Sequence, residues 1–142
     1  MSSPVRLGVM DLEALAPVVA EVAGAEPAVL AAWVFGSRAR LEAKPGSDLD
    51  VALLPMPGVT PTPGIEERVA AAIAARTGLD VDVSQIGEDR PTLSFEVLSD
   101  GRRVFARDAE LANIAEERLR WIYVDTMHLR RVQNHYLYGD PL

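Results

Sequence analysis

The stretch FGSRARLEAKPGSDLDVALL, residues 35–54, decides how this chain folds. An apolar run, AVLAAWVF at 28–35, stops at Gly36-Ser37, crosses a basic loop and re-enters a second apolar run headed by Asp48 and Asp50. Uninterrupted apolar runs of this length predict strands covered on both faces. Side chains alternate along a strand, so Asp48 and Asp50 point the same way. Ionised carboxylates beside such a core are costly unless a cation accompanies them. A third strand is expected in LDVDVSQI, 79–86, whose alternation puts Asp80 and Asp82 on one face and Val81 and Val83 on the other.

Around these strands the sequence predicts helices. Asp11 reads as the N-cap of one running to about Gly24, with Leu12, Leu15, Val19 and Val22 spaced by three and four and Pro17 shortening or bending it. Ser37 is expected to cap a short helix over RARLEA. PMPGVTPTPG, 55–64, holds four prolines and reads as a loop; nothing in it decides between gating and mere connection. Ile65 to Thr77 reads as an Ala-rich helix stopped by Gly78. Residues 89–98 suggest a short helix and GRRVFA, 101–106, a short strand.

From Asp108 to about Tyr138 one long C-terminal helix is expected, with a seam at Ala115, Leu119, Ile122, Leu129 and Tyr136. Trp121, Val124 and Met127 fall outside that seam, a second apolar flank that points to a protein partner or to homo- or hetero-oligomers formed through this helix. Helices and strands alternate, so the fold class is α/β (α+β): a small mixed sheet of three or four strands flanked by helices. One domain over 1–142 is expected, with a catalytic core at 1–107 and a partner-binding helix at 108–138.

Composition narrows the chemistry. The chain has 142 residues, 49% hydrophobic, enough for one real core. It has no cysteine and only two histidines, so a metal would be held mainly by carboxylates, which suit hard cations such as magnesium. A net charge of -7 argues against direct binding of nucleic acid backbone. No stretch reaches the roughly 18 apolar residues of a membrane span, and a cytoplasmic location is expected.

If the second and third strands are neighbours, Asp48, Asp50 and Asp82 converge. Such a cluster repels itself unless divalent cations are bound. Gly36 permits close backbone approach, and Ser37 at a helix start offers N–H groups and a hydroxyl to an anion. An anion cradle beside clustered carboxylates suggests nucleoside triphosphate chemistry. Singly, Ser37 reads as a helix cap and each aspartate as a turn or strand-edge acid; the combination favours a site. His128 and His135 read as packing or surface residues, and Trp121, Tyr123, Tyr136 and Tyr138 as core or rim.

Gly36-Ser37, ten residues, Asp48-x-Asp50 and Asp82 within a Val-Asp-Val strand together resemble the minimal nucleotidyltransferases (MNT domains) of the DNA-polymerase-β-like superfamily. The tail from Leu98 to Arg131 is similar to that of MNT antitoxins paired with HEPN-domain toxins. The resemblance implies a polymerase-β-like fold and an antitoxin that transfers AMP from ATP to a tyrosine of the toxin ribonuclease. It implies that Asp48, Asp50 and Asp82 are catalytic and ligate two Mg2+ ions, Asp82 also helping to activate the attacking hydroxyl. Gly36 and Ser37 would hold the β- and γ-phosphates, with Arg38, Arg40 or Lys44 neutralising phosphate charge; Arg38 is taken as the nucleotide-binding member. Asp80 is a metal neighbour or a solvent-facing residue.

Arg130 and His135 match the Arg-x4-His spacing of HEPN nucleases, but those are helical and this chain is strand-rich. Two other functions stay open: a non-catalytic antitoxin that masks its toxin by binding, and a drug-modifying nucleotidyltransferase acting on aminoglycoside hydroxyls.

Overall fold

The computed structural model describes residues 11–42 and 47–142. In chain order it contains α1 (Leu12–Gly24), β1 (Val29–Phe35), a 3-10 turn (Gly36–Arg38), β2 (Leu49–Pro55), α2 (Ile65–Thr77), β3 (Val81–Gln85), α3 (Pro91–Asp100), β4 (Arg102–Ala106) and α4 (Ala109–Tyr138). The four strands form one sheet in the order β3-β2-β1-β4. β1 is antiparallel to both β2 and β4, whereas β2 and β3 are parallel, as the α2 crossover between them requires. The sheet is mixed and flanked by helices, as the alternation of elements predicts.

β1 is buried along its whole length because the sheet is covered twice. Val29, Ala32 and Val34 face Leu15 and Val19 of α1 and Val69 and Ile73 of α2. Leu30, Trp33 and Phe35 face Val97 and Leu98 of α3 and Ala112 and Leu119 of α4. Each such buried Val, Leu, Ile or Phe side chain contributes about 1.5–3 kcal/mol. Arg107 staples the periphery: its guanidinium donates to the carbonyls of Gly24, Glu26 and Val29 at 2.9–3.0 Å, tying the β4–α4 junction to the α1–β1 turn.

Several expectations change at element ends. Asp11 caps α1, its carboxylate accepting from the Ala14 amide at 2.9 Å, but Pro17 does not end the helix, which runs on to Gly24. No α-helix forms over 38–42, the described part of RARLEA: the 3-10 turn ends at Arg38, and Ser37 lies inside it rather than capping it. Leu41 in the left-handed region, φ 59°, and the 2.8 Å bond from the Glu42 amide to the Ser37 carbonyl close a turn instead. α3 starts at Pro91, where a missing N–H is harmless, and ends at Asp100. In α4 the expected seam ends early: Leu119 is buried, yet Leu129 and Tyr136 are 59% and 79% exposed. By then none of the described residues covers them. Among the described residues no helix is long and apolar enough to cross a membrane.

Candidate active site

The catalytic candidates meet at one end of the sheet. Phe35, the last residue of β1, pairs with Asp50 of β2, and Asp50 pairs with Asp82 of the parallel β3. Paired residues project to the same face, here the one covered by α3 and α4, since Phe35 and Ala52 pack there. Asp48 immediately precedes β2 and is exposed, as is Asp82, while Asp50 is partly buried. Asp80 also precedes its strand and is exposed; its carbonyl accepts from the Leu49 amide at 2.8 Å, which fixes the β2–β3 register.

The Gly-Ser turn closes over this carboxylate. Gly36 has φ +73°, and a Cβ built on it would lie 3.3 Å from Asp50 Cγ and closer still to Oδ2. Only glycine satisfies both the dihedral and the space. Burial, then the negative charges of Asp82 and Asp48, push the Asp50 carboxyl above the usual carboxylate range; Arg40 partly offsets this and Glu96 adds to it. A carboxyl so placed gains from any cation set among the three aspartates, and oxygen donors of this kind suit magnesium. Among the described residues, no group of three or more acidic or histidine side chains already closes into a metal cage.

The loop cations separate. Arg38 is 2% exposed and its Nη2 donates to the Ser47 carbonyl at 2.8 Å, so it braces the segment leading into Asp48. Arg40 is half-exposed, pairs with Glu42 at 3.2 Å and carries its charge towards Asp50. Lys44 lies outside the described residues. Glu96, on α3, is a neighbour of the site that no motif signals; only the packing of α3 on the sheet brings its charge to bear on Asp50.

His128 is exposed, and His135 Nδ1 lies 2.7 Å from the Asp140 carbonyl at the α4 C-terminus. Tyr136 and Tyr138 are 79% and 75% exposed near the end of that helix.

The same fold recurs in solved toxin–antitoxin structures. A chain of one solved with AMP-PNP is 16% identical, with a TM-score of 0.65 over 88% of this chain and 96% of that one. A chain of a complex of a tri-AMPylated Shewanella oneidensis HEPN toxin with an MNT antitoxin is likewise 16% identical, with a TM-score of 0.65 over 88% and 94%. A chain of a mutant of the toxin–antitoxin pair MntA–HpeT is 14% identical, with a TM-score of 0.66 over 88% and 96%. At such identities the likeness is one of fold. No curated protein sequence matches. The family model described as "Polymerase beta, Nucleotidyltransferase" matches residues 19–110, a span containing Gly36, Ser37 and all the aspartates of the site. With the strand register and the Gly36–Asp50 contact, that match makes this chain a member of the polymerase-beta nucleotidyltransferase family.

Proposed function

We propose that this protein is an antitoxin that transfers AMP from ATP to a tyrosine hydroxyl of a partner HEPN ribonuclease and so silences it. The observation that carries the reading is the row Phe35, Asp50 and Asp82 across three adjacent strands, with Gly36 against the Asp50 carboxylate. The AMP-PNP-containing and tri-AMPylated neighbours support the choice of ATP and of a HEPN protein as acceptor.

In the transfer, the tyrosine oxygen attacks the α-phosphorus, the bond to the β-phosphate bridging oxygen breaks, and pyrophosphate leaves. Magnesium, held by Asp48, Asp50 and Asp82, would neutralise the triphosphate and polarise the α-phosphorus. Asp82, exposed at the open edge of the row, helps remove the hydroxyl proton. The backbone around Gly36 and Ser37 cradles the β- and γ-phosphates, and the lack of a side chain at residue 36 lets that turn lie against the Asp50 carboxylate. Arg40, already acting on Asp50, supplies positive charge beside them. Arg38 serves the nucleotide from behind, by holding Ser47 and the approach to Asp48.

The test is intact-mass spectrometry of a HEPN-domain toxin after incubation with this chain, ATP and magnesium. Gain of one or more AMP masses, lost with Asp48→Asn/Asp50→Asn, supports the proposal. An unchanged mass alongside a stable complex on a sizing column replaces it with inhibition by masking.

A further inference from the structure

α4 outruns the body that it packs on. Its buried residues are Ala112 and Leu119, and its stacked contact with α3 is Tyr123 on Phe95, centroids 4.0 Å apart and planes 9° apart. Residues 124–138 continue as helix with none of them buried. That extension is about 22 Å long at the usual rise, and an isolated helix of roughly 12–15 residues is marginal in water. Its helical state gains from an external surface.

The face turned away from the core has its own pattern. Ile114, Trp121 and Val124 are 60%, 62% and 52% exposed. With Glu110 before them, Glu117 between Ile114 and Trp121, and His128, Arg131 and His135 after them, they recur at alternating steps of four and three. That is the a/d spacing of a helix seam that meets another helix. Charge is divided along it, acids in the first half and bases in the second. Off the seam, Glu116 and Arg118 are paired within the chain, to Arg103 and Glu88. On it, Glu110, Glu117 and Arg131 have no ion-pair partner among the described residues.

We propose that the occupant of this face is a second copy of the chain, its α4 lying antiparallel about a two-fold axis between Trp121 and Val124. Every seam position then meets another one. Trp121 packs on Val124 of the second copy, Glu117 meets its His128, and Glu110 its His135, whose Nδ1 is already turned to Asp140. Arg131 lays its aliphatic stem on Ile114 of the second copy and its guanidinium between that copy's Glu110 and Glu117. A parallel pair sets acid on acid and base on base, so the charge pattern selects the antiparallel one. The inference is independent of the catalytic reading.

The experiment is sedimentation velocity of the full chain up to about 100 µM at about 0.15 M salt, which screens the repulsion between two acidic bodies. A dimer is expected, with Trp121→Ala or Arg131→Glu raising its dissociation constant at least about tenfold. All five altered residues are exposed, and circular dichroism confirms folding. Combining Glu110→Lys, Glu117→Lys, His128→Glu and Arg131→Glu in one chain restores the antiparallel contacts of residue 117 with 128 and of residue 131 with 110 and 117, but leaves parallel pairing repelled. Failure of that rescue, a dimer indifferent to the single substitutions, or a monomer throughout overturns the proposal. A monomer whose Trp121→Ala form also loses the HEPN protein reassigns the face to that partner.

Discussion

Gly36 and Asp50 exclude any side chain between them: the glycine sits at φ +73° and a Cβ there would run into the carboxylate of its neighbour strand. The contact joins the turn proposed to cradle phosphate to the strand proposed to hold the metal, so one substitution disturbs both. Gly36→Ala should lower stability by about 1–3 kcal/mol through the left-handed dihedral and the clash, and abolish AMP transfer. In an Asp50→Ala background the same change should destabilise less, since only the dihedral strain remains. Urea denaturation of the four proteins tests this, and equal penalties in both backgrounds would refute the contact.

Asp50→Asn should stabilise the metal-free protein while removing stabilisation by magnesium. Burial and the neighbouring aspartates raise the Asp50 pKa above its unfolded value, so the folded state binds the proton more tightly. The resulting destabilisation is absent below the unfolded pKa, grows as pH rises through the window up to the raised folded pKa, and is complete above it. The advantage of Asp50→Asn in thermal melts should therefore grow through that window and then level off. An advantage that shrinks with rising pH contradicts the assignment.

Leu41 is 74% exposed and holds φ 59°. Left-handed backbone costs a bulky residue about 1–2 kcal/mol, only partly offset by the greater unfolded-chain freedom of glycine. Leu41→Gly should thus raise stability by up to about 1 kcal/mol, and Leu41→Val should lower it by about 1 kcal/mol. Guanidinium melts with the reverse order would show that the turn is not strained.

Arg107→Ala removes three bonds to backbone carbonyls and a cation 5.3 Å above the Phe105 ring. With the side chain partly in solvent, the expected loss is about 1–3 kcal/mol. Arg107→Lys should recover little of it, because one ammonium cannot reproduce the planar fork. Transfer activity of the folded protein should stay unchanged; a fall in activity at full stability would give Arg107 a different role.

Much of the fold and of the candidate site was legible because it depends on local periodicity. β1, β2 and β3 announce themselves as apolar or alternating runs, the α1 cap as Asp11, and the α2 stop as Gly78. RARLEA has good helix propensity, so local sequence alone predicts a helix after Ser37. The left-handed Leu41 and the Glu42–Ser37 bond that replace the helix with a turn have no propensity signature. The α4 seam was extended too far for a related reason: periodicity shows which residues share a face, not how far the rest of the chain reaches to cover it.

By itself the sequence determined the strand and helix segments, the glycine at residue 36 and the alternation that sets Asp48 beside Asp50, because these follow from chain geometry within a few residues. Only the tertiary structure decided that β2 and β3 are parallel neighbours in a register that sets Asp50 opposite Asp82. It also buried Arg38 under Ser47 and brought Glu96 towards the site, because pairing and packing join residues tens of positions apart that no local pattern relates.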